Sequence, residues 1–361
     1  MNKDYKNNSE NKGFMVNESC KILFVGDSSY EMYVKAFYNA ARNMSCITPM
    51  LVDFGKLNTA VSKKNALLRV ERHYKLGLDV SKINKEIINY VYNNEVDIVF
   101  LYACDIVTVK TVRRLTKKAY VAVYNNDNPF SEYYQKYKWR NVLHSCKYAD
   151  TVYSYRESNI SEYKKCGAKK VKLMRSYYIK ERNYYIPDEK IDMQIPDVCF
   201  IGHYEDDERI EYIRELADTG IDVGIPESWK SLNIDNDHLI YIAKTHSKYN
   251  DILNKTKIAI VFLSSINKDT YTRRCFEIPA VRTLMVAPFT PDIASMYEDS
   301  KEVVLYNNKT EFIEKISYYL EHDEERRNIA EAGYRRLIKD GNEVTDRIDQ
   351  IINDWKKSNK K

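Results

Sequence analysis

Apolar residues in this chain fall into short dense runs, each followed by a polar turn and an amphipathic stretch. Runs at 21–25, 47–54, 96–101, 119–124 and 149–154 have the density of strands buried on both faces. Between them, 31–42, most of 56–95, 109–118 and 133–146 carry helical periodicity. After a charged stretch at 184–196 bounded by prolines, the alternation resumes. Strands are predicted at 197–201, 221–225, 258–263, 283–287 and 302–306. Helices are predicted at 209–218, 249–255, from Thr272 onward, and over 311–320, 324–337 and 345–355. Strand–helix–strand alternation of this kind builds an open parallel sheet with helices on both faces. Ligands of such sheets sit at the carboxyl ends of the strands, beside helix N-termini.

Composition narrows the class. At 361 residues the chain exceeds one comfortable core, so two domains are expected. The polar segment 1–19 is expected to be a mobile leader without a signal core, and no apolar run approaches the ~18 residues that span a membrane. Seven scattered cysteines, none in a C-x-x-C pair, favour a reducing cytoplasm over a disulfide framework or zinc site. A net charge of +5 is compatible with anionic substrates or peripheral membrane contact and gives no reason to invoke nucleic acid.

The chemistry concentrates after the apolar run at 258–263. A polar turn containing Lys268 and Asp269 leads into Thr272-Arg273-Arg274-Cys275-Phe276-Glu277. Two guanidinium groups at a helix start suit a diphosphate, and a carboxylate one turn on suits the vicinal hydroxyls of a ribose. The plainer alternative is a solvated amphipathic helix with Glu277 paired to one of those arginines. At the end of the strand 119–124 stands Asn125-Asn126-Asp127-Asn128-Pro129. Asp127 is either a general base or substrate contact, or it forms an Asx-turn. Gly26-Asp27-Ser28 follows the first strand, with too few glycines for the dinucleotide fingerprint. Gly202 would let backbone N–H groups approach a phosphate, with His203 either donating nearby or idle. Asp235-Asn236-Asp237 is a D-x-D triplet in a polar loop, poorly placed for a metal.

The stretch 272–277 followed by Ala280 resembles the R-x-F-E block of the group-1 glycosyltransferases, in particular the CgeB-like branch associated with spore maturation. Glu302-Val303-Val304-Leu305-Tyr306, and the helix pair from Tyr319 to Gly333, are similar to blocks of the same family, as is Asp197-Val198 with Phe200-Ile201-Gly202. The likeness covers roughly 197–350, more loosely what precedes it, and departs at Arg282, where the family commonly has glycine. There Arg bears the cost of a positive φ, points a third cation into the cleft, or marks a helix that ends differently. The resemblance implies an α/β GT-B fold, two Rossmann-like domains facing across a cleft. The acceptor domain would be 20–183, the linker 184–196 and the donor domain 197–340, with 341–361 crossing back as a helix and basic tail. It implies donor contacts from Gly202, Thr272, Arg273, Arg274 and Glu277, acceptor-side contacts from Gly26, Asp27, Ser28 and Asn126, and catalysis by Asp127 and His203. The expected substrate is a nucleoside diphosphate sugar, foremost a UDP-sugar, used without metal or other cofactor. The acceptor would be a protein, glycan or lipid-linked glycan, in a cytoplasmic, membrane-peripheral or spore-associated setting. A nucleotide-sugar epimerase or phosphorylase on the same plan, and a non-catalytic coat or scaffold protein, are the alternatives.

Overall fold

The computed structural model describes residues 19–55, 66–135 and 137–358. The leader expected over 1–19 (Ser19 excepted) and the beginning of the helical stretch expected from 56 lie outside them. One sheet contains β1 (Cys20–Gly26), β2 (Ile47–Asp53), β3 (Ile98–Tyr102), β4 (Tyr120–Asn125), β5 (Thr151–Ser154) and β6 (Val171–Leu173), in the order β2-β1-β3-β4-β5-β6. A second contains β7 (Val198–Cys199), β8 (Val223–Pro226), β9 (Leu239–Ile242), β10 (Ile258–Ile260), β11 (Leu284–Pro288) and β12 (Val304–Tyr306), ordered β12-β11-β10-β7-β8-β9. Every pairing within the sheets is parallel. The central strands are buried throughout, which accounts for their unbroken apolar runs.

Strand order reverses between β1 and β3 in the first sheet and between β7 and β10 in the second. At such switch points the connections leave in opposite directions and open a crevice. Gly202 follows β7 and the turn carrying Asp269 follows β10, so both reach the second crevice. The apolar core has one cluster within each domain and a third that passes between them through Tyr155, Tyr177 and Tyr271. The final helix, Val344–Lys356, packs on the helix Val34–Arg42 of the first domain. There the Tyr153 hydroxyl donates to Asp354 at 2.9 Å, and Gln350 donates to the Leu173 carbonyl at 2.9 Å.

Two expectations change and one open alternative is decided. The helix expected over 133–146 is confined to Arg140–Ser145. Upstream of it, Ser131 Oγ donates to the Ile266 carbonyl at 2.5 Å and the Tyr134 hydroxyl to Asn267 Oδ1 at 3.2 Å. These bonds across the cleft hold the backbone in successive turns instead of a continuous helix. Strands β6 and β9, which the pattern does not reveal, are three and four residues long and only partly buried. Arg282 has φ 61°, yet its guanidinium lies 4.4 Å over the Tyr334 ring and 5.3 Å over Tyr185, and 3.5 Å from Glu331. It takes the strained backbone and faces away from the cleft.

Candidate active site

The helix Arg274–Ala280 sets the site, and its construction is unusual because Pro279 lies inside it. Proline removes the donor that the Cys275 carbonyl would receive. The Tyr297 hydroxyl supplies the bond instead, at 2.8 Å. At the helix entry Thr272 Oγ1 accepts from the Arg274 N–H at 3.2 Å. Arg274 Nε donates to the Ile201 carbonyl at 2.8 Å, and its guanidinium lies 5.4 Å over the Phe200 ring. Gly202 makes this possible. A Cβ there would come within 2.7 Å of Arg274 Nη2 and 2.4 Å of the Phe200 ring.

Arg273 reaches across the cleft. Its Nη1 donates to the Met32 carbonyl, and the guanidinium lies 4.9 Å from the Tyr33 ring and 5.4 Å from Tyr177. Burial works against its charge, but Tyr177, Tyr102 and Glu277 outweigh burial and raise its pKa. Glu277 is 5% exposed, and its Oε2 accepts from the Tyr249 hydroxyl at 2.9 Å. Burial, then the Glu277 charge, push the Tyr249 phenol well up, so it remains a neutral donor. Among the described residues, neither arginine pairs with Glu277, and Glu277 Oε1 has no hydrogen-bond partner. The plain reading of an internally paired helix therefore does not describe this structure. These groups line a cavity of about 280 Å³ that also contains Gly202, His203 and Arg182.

A second cavity, of about 200 Å³, adjoins the first and shares Tyr33, His203, Arg273 and Arg274 with it. Asn126, Asp127, Arg156 and Asp269 line it. Asn125 and Asn128 build the turn here, accepting from the N–H groups of Asp127 (3.3 Å) and Phe130 (3.1 Å). The Asp127 carboxylate is thus spared from the Asx-turn role. Burial raises its pKa, opposed by Lys138, 3.9 Å away, and by Arg156. Asp269 is pushed by burial to about 6 despite its ion pair with Arg156, whose Nε lies 2.7 Å from Oδ1. Arg156, 1% exposed, also donates to the Asn126 carbonyl at 3.0 Å, so this pair ties the two domains at the cavity floor. His203 is exposed at the mouth of both cavities, and its carbonyl accepts from Arg209 at 2.7 Å. Arg209 is further occupied by Asp207 at 2.6 and 2.7 Å, which makes it a loop brace.

The structure thus gathers Asn126, Asp127, Gly202, His203, Thr272, Arg273, Arg274 and Glu277 around two joined cavities. Gly26, Asp27 and Ser28, expected on the acceptor side, line neither cavity. A Cβ on Gly26 would meet Val34 at 2.8 Å; Asp27 accepts from the Ser29 N–H at 2.9 Å, and the Ser28 N–H donates to Asp53 at 3.0 Å. From that end of β1 the cavity wall is Met32 and Tyr33 instead. Trp229 is buried and donates to the Gly202 carbonyl at 3.1 Å, so its ring is not available to a base. Thr290 caps its helix, accepting from the Ile293 N–H at 3.0 Å. The D-x-D triplet lies outside both cavities, with Asn236 donating to Asp218 at 2.7 Å. Sequence reasoning missed Tyr33, Arg156, Tyr249 and Asp269. Only Asp269 left a signal, as an acidic residue in the turn between a buried strand and the Arg273 helix.

Two facing parallel sheets with a cleft between their carboxyl ends define the GT-B class. Residues 209–353 match a family model described as glycosyl transferase-like. No protein of curated function is significantly similar to the chain in sequence. Among solved structures, Anabaena HepE in complex with UDP-glucose superposes with a TM-score of 0.65 at 12% identity, over 94% of this chain and 99% of that one. A glycosyltransferase from Rickettsia africae gives 0.63 at 14% identity, over 94% and 98%. Sucrose-phosphate synthase from Thermosynechococcus elongatus gives 0.64 at 8%, over 94% and 100%. At these identities the likeness is one of fold.

Proposed function

We propose that this chain is a glycosyltransferase that moves a hexosyl group from a nucleoside diphosphate sugar to a hydroxyl acceptor without a metal. The observation that carries the proposal is the cavity in which the unpartnered Glu277 oxygen faces the same space as Arg273 and Arg274. Glu277 accepts from ribose hydroxyls, and the guanidinium groups bind the diphosphate in forked geometry. As the bond from the anomeric carbon to the diphosphate breaks, its electron pair leaves with the diphosphate, and the two cations stabilise that charge. The acceptor oxygen forms the new bond in the adjoining cavity and passes its proton to Asp127. Burial raises Asp127 toward the range where a carboxylate is an effective base. Asp269, at about 6, is the other group able to receive it. Uridine is the favoured base because HepE superposes over nearly the whole chain with UDP-glucose bound. Membership of the CgeB-like branch, and a cytoplasmic or membrane-peripheral setting, complete the proposal. No helix among the described residues is long and apolar enough to cross a membrane.

A thermal-shift panel of UDP, GDP, ADP and UDP-glucose in EDTA tests it. One nucleotide is expected to stabilise the chain, and Glu277→Ala to abolish the shift. Stabilisation only after divalent metal is added overturns metal independence. No stabilisation by any nucleotide overturns the whole reading, and conversion of the donor sugar to its epimer without acceptor assigns the protein to the epimerases.

A further inference from the structure

A third cavity, of about 280 Å³, opens on the first domain, lined by His73, Lys75, Tyr133, Tyr134, Tyr137 and Lys138. The proposed transfer chemistry makes no use of it. Its aromatic density is high: the Tyr137 ring lies 4.5 Å from His73 and 5.5 Å from Tyr74, and Tyr133 stands edge-on to Tyr134 at 5.5 Å. Tyr133 is 68% exposed and Tyr74 50%, so ring faces that a fold gains by burying are presented to solvent. Rings of this kind offer apolar faces with polar tips at low conformational cost. Around them stand polar groups able to donate: the His73 ring, which meets the Tyr137 hydroxyl, the amide of Gln135, which also accepts, and the ammonium groups of Lys138 and of Lys75, the latter paired with Asp105 at 2.5 Å; no carboxylate is among the lining residues. Apolar platforms edged by donors match a pyranose, whose C–H faces stack on rings while its hydroxyls accept at the rim.

The position of this cavity connects it to the site. Lys138 Nζ lies 3.7 Å above the Tyr134 ring on one side and 3.9 Å from Asp127 on the other. The Tyr134 hydroxyl donates to Asn267, which lines the acceptor cavity. Lys138 and Tyr134, which line the aromatic cavity, therefore stand directly behind Asp127 and Asn267, which line the cavity where the acceptor hydroxyl reacts. We propose that the aromatic cavity is a saccharide-binding subsite, holding the distal sugar residues of an oligosaccharide acceptor whose terminal hydroxyl lies at Asp127. The direction of the chain rests on the transferase reading, whereas saccharide binding itself does not.

Affinity electrophoresis of the full chain, in native gels cast with glucan, xylan, polygalacturonate or hyaluronan, tests the subsite. At least one polysaccharide is expected to retard the protein. Tyr133→Ala and Tyr137→Ala are each expected to weaken that retardation roughly tenfold, about the weight of one good contact. Tyr133→Phe, which keeps the ring, should retain it, and all three should keep the wild-type circular dichroism and thermal shift with UDP. Retardation absent from every gel, or equal in wild type and both alanine variants, overturns the subsite. So does ring-dependent binding to phosphatidylglycerol vesicles without ring-dependent retention by saccharide, which would assign the face to a membrane. Loss of the UDP shift in wild type with saccharide retention intact overturns the transferase reading and leaves the subsite standing.

Discussion

Glu277→Gln is the perturbation that isolates the donor contact. The amide keeps the size of the side chain, and its oxygen still accepts from the Tyr249 hydroxyl, now at 2.9 Å from Glu277 Oε2. The side chain loses its charge, and its other polar atom becomes an NH₂ donor in place of the unpartnered Oε1. A ribose hydroxyl bonded to the carboxylate is worth about 1.5–3 kcal/mol, the range for hydrogen bonds to charged groups. At about 1.4 kcal/mol per decade, the dissociation constant for UDP should rise about 10- to 150-fold. Glu277→Ala should weaken binding at least as much and should also unfold more easily. It strands the buried Tyr249 hydroxyl, which costs about 1–3 kcal/mol. Isothermal titration of UDP into the three proteins, with urea melts alongside, separates the two effects. An affinity for UDP within twofold of wild type in Glu277→Gln, with the fold intact, refutes the assignment of the ribose to this carboxylate.

Gly202→Ala puts a methyl group 2.4 Å from the Phe200 ring and 2.7 Å from Arg274 Nη2. It should cost about 1–3 kcal/mol of stability in urea melts and displace the guanidinium, lowering UDP affinity in titrations. Asp269, raised to about 6 by burial, holds its proton more tightly folded than unfolded. Its contribution to stability is therefore full below the ordinary aspartate pKa and is lost as pH rises through about 6. Urea melts from pH 4 to 8 should show this slope in wild type and not in Asp269→Asn. Replacing Arg282 with glycine relieves about 1 kcal/mol of left-handed strain. It also gives up stacking and a half-exposed pair with Glu331 of similar total value. Its melting temperature should stay near wild type, whereas Arg282→Ala keeps the strain, loses the contacts and should melt lower.

What the sequence determined by itself was the alternation of doubly buried strands and amphipathic helices, and with it two parallel sheets and the loops that carry chemistry. Periodicity is a local property, so 258–263 announces a buried strand before any partner is known. The stretch from Thr272 to Glu277 was legible for the same reason, since one helix entry places its side chains from sequence spacing alone. Short strands β6 and β9 escaped because three or four residues, only partly buried as a group, are too few to set a period. Tertiary structure alone decided who meets across the cleft. Arg156 and Asp269 are 113 positions apart, and nothing local to either marks the other. Loops close to Gly26 resembled a ligand site, yet Asp27 and Ser28 bond locally or to Asp53, and Tyr33 took the place at the cavity wall. Hydrogen-bond partners and the burial that shifts Asp127 and Asp269 depend on how two sheets face each other, and that arrangement is written in no single stretch of the chain.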